Sequence, residues 1–242
     1  MRIAQISDIH ADDTDSFKRL DRALDWLRQL EPDALIVSGD LSDPPRRAVY
    51  NEVRERLQWL NTHLQVVPGN VDDRELLREA FHQPGVSTEN GPFNSVATVG
   101  GAVRLIGLDV TVPGAHHGDA APILPWLREQ LNCGGAPALI FMHQHPFMCG
   151  IDKKDKNKCR SAEELSLVIG TASDPVLAIT CGHVHRPMFT RFANLPATMS
   201  PSITGANKLR LDGREPETTD PSGLLVHHYA EARLVTHVVS LG

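Results

Sequence analysis

Three short apolar runs near the start of the chain each end in residues that do not belong inside a hydrophobic strand. Residues 2–7 run into Asp8-Ile9-His10, Ala34–Ser38 into Gly39-Asp40, and His63–Val67 into Pro68-Gly69-Asn70. Between them lie segments of helical periodicity: Phe17, Leu20, Leu24, Leu27 and Leu30, then Val49, Val53, Leu57 and Leu60, then Leu76, Leu77, Ala80 and Phe81. Spacings of three and four place one apolar stripe on a helix. The order β-α-β-α-β-α predicts a parallel sheet with helices on its faces, because parallel neighbours need a crossover and the crossover needs a face to pack on. Asp15 or Ser16 is expected to cap the first helix.

The rest of the chain keeps the same character. Strands are expected at about 94–99 and 102–108, joined at Gly100-Gly101, followed by a loop from Thr111 to Ala121 and a helix from Ile123 to Leu131. Ala138–Met142 is a buried strand ending at His143. A polar loop, 150–160, holds Lys153, Lys154, Lys156 and Lys158. Ser161-Ala162-Glu163-Glu164 reads as a capping box opening a helix through Ile169. Val176–Cys181 is a strand ending at Gly182-His183, and further strands are expected near 187–192, 224–229 and 234–240, with a long surface loop over 205–223.

Composition narrows the functional classes. The 24 Lys+Arg against 30 Asp+Glu leave a formal charge of −6, which argues against binding a nucleic-acid polymer through a broad basic surface. No stretch approaches the roughly 20 apolar residues that span a bilayer, so no membrane partner is expected. Met1 to Asp8 lacks the apolar core of a secretion signal, and a cytoplasmic location is expected. Cys133, Cys149, Cys159 and Cys181 form no C-x-x-C pair and are expected as free thiols, with a Cys149–Cys159 bridge as the alternative. Neither an internal repeat nor a boundary interrupts the pattern, so one domain over 1–242 is expected.

The strand ends carry the chemistry. Ligands of open α/β sheets bind beyond the carboxyl ends of the strands. Five ends would there gather Asp8, His10, Asp40, Asn70, His143, His183 and His185. Taken singly, Gly-Asp and Gly-Asn are turn dipeptides and an Asp-x-His pair is unremarkable. Together, these oxygen and imidazole donors suit Mn, Fe, Zn or Co, and they exceed what one ion needs. With a shared carboxylate they would serve two divalent or trivalent ions, the usual machinery for hydrolysing phosphate esters.

Asp8-x-His10, Gly39-Asp40, Gly69-Asn70, His143 and Gly182-His183-x-His185 resemble the signature of calcineurin-like metallophosphoesterases, over Met1 to about Pro201. Phe141-Met142-His143-Gln144-His145-Pro146 and Cys181-Gly182-His183-Val184-His185 are most similar to the bacterial class III branch, which hydrolyses cyclic nucleotides and glycerophosphodiesters. The resemblance implies a four-layer α-β-β-α sandwich of two mixed sheets. It implies one ion on Asp8, His10, Asp40 and His185 and another on Asp40, Asn70, His143 and His183, with a bridging hydroxide attacking phosphorus in line. The implied activity is that of a metal-dependent phosphodiesterase on small diesters. A phosphomonoesterase or a non-catalytic metal-binding scaffold are the alternatives. Relatives in this branch often form homo-oligomers, though no segment here declares an interface.

One motif departs from the family. Where it usually has Gly-Asn-His, this chain has Gly69-Asn70-Val71. The imidazole normally there lies beside the substrate, and Val71 cannot replace it. Either His117, His145 or His116 would supply a proton instead, or the substrates would have leaving groups good enough to need no acid, or the protein would be a metal-binding scaffold with little catalysis. Asn70, His117 and His145 are thus the expected catalytic residues, and His117, His145 and Lys153 the expected substrate contacts. Asn207, Lys208 and Arg210 are weaker candidates for binding an anion. Asp109 is expected to organise its loop, and His63, His82, His227, His228 and His237 to be surface or strand-face residues.

Overall fold

The computed structural model describes residues 1–82, 91–212 and 219–242, except for the side chain of Asn207. The first part alternates as expected: β1 (Arg2–Ile6), α1 (Thr14–Leu30), β2 (Ala34–Ser38), α2 (Arg47–Gln58), β3 (His63–Val67) and α3 (Arg74–Ala80). Next come β4 (Ser95–Val99), β5 (Val103–Leu108), β6 (Gly118–Asp119), a 3-10 turn over Ala121–Ile123, α4 (Leu124–Gln130), β7 (Ala138–Met142), α5 (Asp152–Asp155), β8 (Cys159–Arg160), α6 (Ala162–Gly170) and β9 (Val176–Cys181). The last part is all strand: β10 (Met188–Phe192), β11 (Leu195–Met199), β12 (Ala206–Asn207), β13 (Thr219–Asp220), β14 (Gly223–Ala230) and β15 (Arg233–Ser240).

Two mixed sheets result. The first runs β15-β14-β1-β2-β3, with β1, β2 and β3 parallel and β14 and β15 antiparallel additions. The second runs β10-β11-β9-β7-β5-β4, parallel through β11, β9, β7 and β5, with an antiparallel strand at each edge. The parallel strands are mainly apolar on both faces, because both faces are covered, with a few buried polar residues such as Gln5 and Gln65 among them. In β2, Leu35 and Val37 face a core shared with α1, α2 and α3, while Ala34 and Ile36 face the other sheet. That inter-sheet core joins Ile3, Ala34, Ile36 and Val67 of the first sheet to Leu105, Leu139 and Phe141 of the second. A third cluster, with Leu127, Leu165, Val168 and Ile140, lies between the second sheet and helices α4 and α6. The layers are therefore α-β-β-α.

Several local expectations are corrected. The cap of α1 is Asp13, whose carboxylate accepts from the Ser16 N–H at 2.8 Å; Ser16 sits inside the first turn and its hydroxyl answers the Asp13 backbone. Ser161 does not make the expected capping box. Its backbone is left-handed (φ 54°) and its Oγ donates to Asp119 instead, at 2.7 Å, so it ties the start of α6 to β6 rather than capping its own N–H groups. Strand β11 was not expected; it pairs in parallel with β9 through Ala197, Thr198 and Met199. The expected loop over 205–223 contains the short β12–β13 pairing, and its residues 213–218 lie outside the described ones. Cys149 and Cys159 are not bridged, and all four cysteines are free. Cys159 is sealed in the core beneath α6, whereas Cys149 sits on the loop before α5.

Candidate metal centre

The parallel strands of both sheets deliver their carboxyl ends to one crevice. Asp8 and His10 follow β1, Asp40 follows β2, Asn70 follows β3, His143 follows β7, and His183 and His185 follow β9. The turns that present them are contorted. Asp8, His10, Asp40, His183 and His185 all have positive φ, from 43° to 72°, in the region L-residues seldom enter. Each such residue costs on the order of 1 kcal/mol or more, and strain of this kind collects at functional sites. The glycines let the turns close on one another. A Cβ on Gly69 would fall 2.1 Å from Asp40 Oδ1, and one on Gly182 would fall 2.0 Å from Ser7 Oγ.

Asp8, His10, Asp40 and His185 bring one ligand atom each within 4.8 Å of the others, and so do Asp40, His143 and His183. His185 Nε2 lies 3.2 Å from Asp8 Oδ1. Asp40 Oδ2 faces both groups, 3.6 Å from His10 Nε2 and 3.2 Å from His143 Nε2. Asn70 Oδ1 lies 3.2 Å from the same His143 nitrogen.

Outer contacts aim these groups. His143 Nδ1 donates to the Ser38 carbonyl at 2.7 Å, which leaves Nε2 as the nitrogen that faces the centre. Asp8 Oδ2 accepts from Ser7 Oγ at 2.6 Å and from the His183 N–H at 3.1 Å. Asp40 Oδ1 accepts from the Val71 N–H at 3.1 Å. The Asp72 carboxylate grips the turns that present Asp40 and Asn70 through the Leu41, Ser42 and Gly69 N–H groups, and Tyr50 donates its hydroxyl to it.

The electrostatics are those of opposite charges held together out of water. Burial would raise the Asp8 carboxyl, but His185, His143 and His10 outweigh it and hold the group well below the usual carboxylate range. Asp40 is likewise lowered against its burial, chiefly by His143. Burial opposes charge on His143, yet Asp40 and Asp8 push it up to about 9. Burial, then His143 and Lys154, keep His183 neutral. Asp72 is raised to about 7 by burial and by Asp40.

Among the described residues, two buried atoms in the crevice make no hydrogen bond: Asp8 Oδ1, which has only the ion-pair contacts of His185 and His10, and His183 Nε2. An orphaned buried acceptor and an orphaned imidazole nitrogen, one in each group, need an occupant. The donor set, carboxylate and amide oxygens with imidazole nitrogens, fits divalent transition cations.

A family model described as calcineurin-like phosphoesterase matches residues 1–187. The chain belongs to the calcineurin-like phosphoesterases. It is 30% identical to a probable glycerophosphodiester phosphodiesterase GpdQ of Arcobacter nitrofigilis, across 100% of this chain and 94% of that one. It is 31% identical to a cAMP/cGMP dual specificity phosphodiesterase of Mycobacterium tuberculosis, across 94% of this chain and 73% of the relative. A dimetal phosphatase from Danio rerio shares the fold, with a TM-score of 0.73 at 13% identity, covering 100% of this chain and 96% of that one. Curated relatives of this phosphoesterase are thus named as phosphodiesterases.

Outside the seven residues at the strand ends, the structure redistributes the expected contacts. Of the histidine pair in the 111–121 loop, His116 rather than His117 reaches the centre: its Nδ1 lies 3.4 Å from Asn70 Nδ2. His117, half-buried, is the residue just before β6. His145 is wholly buried behind His183, on which its ring stacks at 5.8 Å, so it is not an open substrate contact. Burial drives it down to about 4. Lys154 rather than Lys153 meets the centre, donating to the His183 carbonyl at 2.6 Å. Lys153 is exposed on α5. Asp109 organises its loop as expected, holding Arg74 and accepting from the Phe93 and Thr111 N–H groups. Arg210 is engaged with Asp212, and the Asn207 side chain lies outside the described residues. Sequence reasoning missed Ser7, Asp72 and the Ser38 carbonyl. Asp72 stood in the departing motif itself, Asn70-Val71-Asp72, and a carboxylate there had a signal available: turns rich in N–H groups want an acceptor.

Proposed function

We propose that this phosphoesterase hydrolyses small phosphodiesters, cyclic nucleotides or glycerophosphodiesters, with two cations held at the strand ends. One set of ligands is Asp8, His10, Asp40 and His185; the other is Asp40, Asn70, His143 and His183. The observation that carries this reading is the position of Asp40 Oδ2, addressed by His10 from one group and His143 from the other. Two such cations, when bound, polarise phosphoryl oxygens and make water a competent nucleophile at neutral pH. Mn and Fe are our choice of ions, and the four free thiols favour the cytoplasm as the place of action.

The chain's own residues do the rest. Ser7 and the His183 N–H orient the Asp8 carboxylate, and the Ser38 carbonyl fixes the tautomer of His143. Asn70 turns its Oδ1 to the centre and its Nδ2 to His116. His116 is exposed, where a leaving oxygen would emerge, and we give it the proton that Val71 cannot supply. The apolar face shared by the two sheets supports reading 1–242 as one domain, since neither sheet would bury that face alone.

The test is a kinetic screen of metal-reconstituted protein against cyclic nucleotides, glycerophosphodiesters and phosphomonoesters. The expected result is metal-stimulated turnover with kcat/KM highest on a diester. Higher kcat/KM on monoesters, or no stimulation by metal, would overturn the reading.

A further inference from the structure

A buried imidazole outside the seven-residue centre makes no hydrogen bond to any of the described residues. His145 is fully buried, and among the described residues neither of its ring nitrogens has a hydrogen-bond partner. Buried polar atoms without partners are rare enough to require a reason. The carboxylate that faces it, Asp155 Oδ1, is 3.6 Å from His145 Nε2, an ion-pair separation longer than a hydrogen bond. Cys149 completes a trio whose ligand atoms all lie within 4.8 Å of one another. The carboxylate is held in place by the loop that carries the thiol: Asp155 Oδ1 accepts from the Cys149 N–H at 2.7 Å and Oδ2 from the Gly150 N–H at 3.0 Å.

We propose that His145, Cys149 and Asp155 bind a further cation, separate from the pair at the strand ends and of the zinc type. Ligands about 2.0–2.3 Å from a tetrahedral ion lie roughly 3.3–3.8 Å from each other. The nitrogen and oxygen are already at that separation, so only the thiol has to close in. Sulfur among the ligands selects zinc-like ions over magnesium, calcium or manganese. Three protein ligands leave one coordination position, and half-exposed Cys149 opens it to solvent. Lys154 would repel a cation here, but its ammonium is directed to the His183 carbonyl. The ion would tie the 144–160 segment against the back of His183, on which the His145 ring rests.

Cobalt substitution tests this, because every ligand proposed for the strand-end centre is oxygen or nitrogen. Chelated protein reloaded with Co2+ is expected to show a thiolate-to-cobalt charge-transfer band in the near ultraviolet. C149S should lose that band and one cobalt ion per chain, while C133S keeps both. In D155N the band should appear only at about tenfold or more higher cobalt, the scale for losing one coordinating or orienting group. D40A should keep the band while losing cobalt from the other centre, so the two readings fail separately. A wild-type protein without the band, or a band that survives in C149S, overturns the proposal. The wild-type spectrum decides alone if C149S does not fold.

Discussion

The two sheets supply opposite halves of the centre. The first brings Asp8, Asp40 and Asn70 with a single imidazole, His10; the second brings only imidazoles, His143, His183 and His185. Asp8 and Asp40 are buried at the ends of adjacent strands, which repel each other unless something positive stands opposite. The second sheet provides it: His143 is held charged to about 9 by these carboxylates. Docking of the sheets and neutralisation of the carboxylates are therefore one event. The apolar contacts of Ile36 and Phe141 bring the halves together, and the Asp–His pairs decide how their ends face.

The largest effect should come from the carboxylate both groups share. Asp40→Ala is expected to lose both ions by elemental analysis and to lower diester hydrolysis by about 10³-fold or more, the scale at which removing one electrostatic element of an active centre acts. His183→Ala should lose one ion only. Two ions retained in Asp40→Ala would break the comparison, since the first sheet would then hold no shared ligand.

Next in size is His116→Gln, expected to slow diesters with alkoxide leaving groups by about 10²-fold and activated aryl diesters hardly at all. A uniform loss across leaving groups would remove His116 as proton donor. Ser7→Ala should weaken cation binding by about tenfold, as measured by competition with a chelator, because Asp8 Oδ2 loses its shortest donor. Unchanged affinity would show that the first sheet needs no such help to aim its carboxylate.

The smallest effect lies deeper in the seam. His227 is buried, hydrogen-bonded to Gln5 and Thr236, and pushed by burial down to about 3. Gln5 in turn reaches Thr180 and the Cys181 carbonyl of the second sheet. The unfolded chain takes up this proton near 6.5, and the folded one refuses it until about 3. The contribution is therefore complete above 6.5 and falls by up to about 1.4 kcal/mol per pH unit as pH drops through that window. Urea titrations at pH 7 and 5.5 should show a shallower pH slope for His227→Gln than for wild type; equal slopes would mean that His227 does not control sheet docking in acid.

The parallel strands of the first sheet were legible, because β1, β2 and β3 are short, mainly apolar runs that end at Asp, Gly or Pro, and period and punctuation agree. The second sheet was legible less evenly. Strand β11, Leu-Pro-Ala-Thr-Met, carries a proline and no alternation, and exists because β9 offers it a parallel edge. Ser161 matched a capping motif, yet tertiary contact with Asp119 took its hydroxyl. The choice between His116 and His117 turned on loop conformation, which adjacent identical residues cannot encode. The strand-end residues were readable because their spacing is set by strand length, whereas Ser7, Ser38 and Asp72 act through the hydrogen bonds of turns formed only after the sheets meet.

The five left-handed residues at those ends limit how this chain can drift. Any replacement at 8, 10, 40, 183 or 185 must satisfy the peptide backbone before it satisfies an ion. Asparagine and glycine tolerate that basin, whereas valine, isoleucine and threonine resist it. In a saturation library screened for folding alone, with every cation removed, those five positions would still reject branched side chains, so stability would preserve the shape of the centre even where its chemistry had been lost.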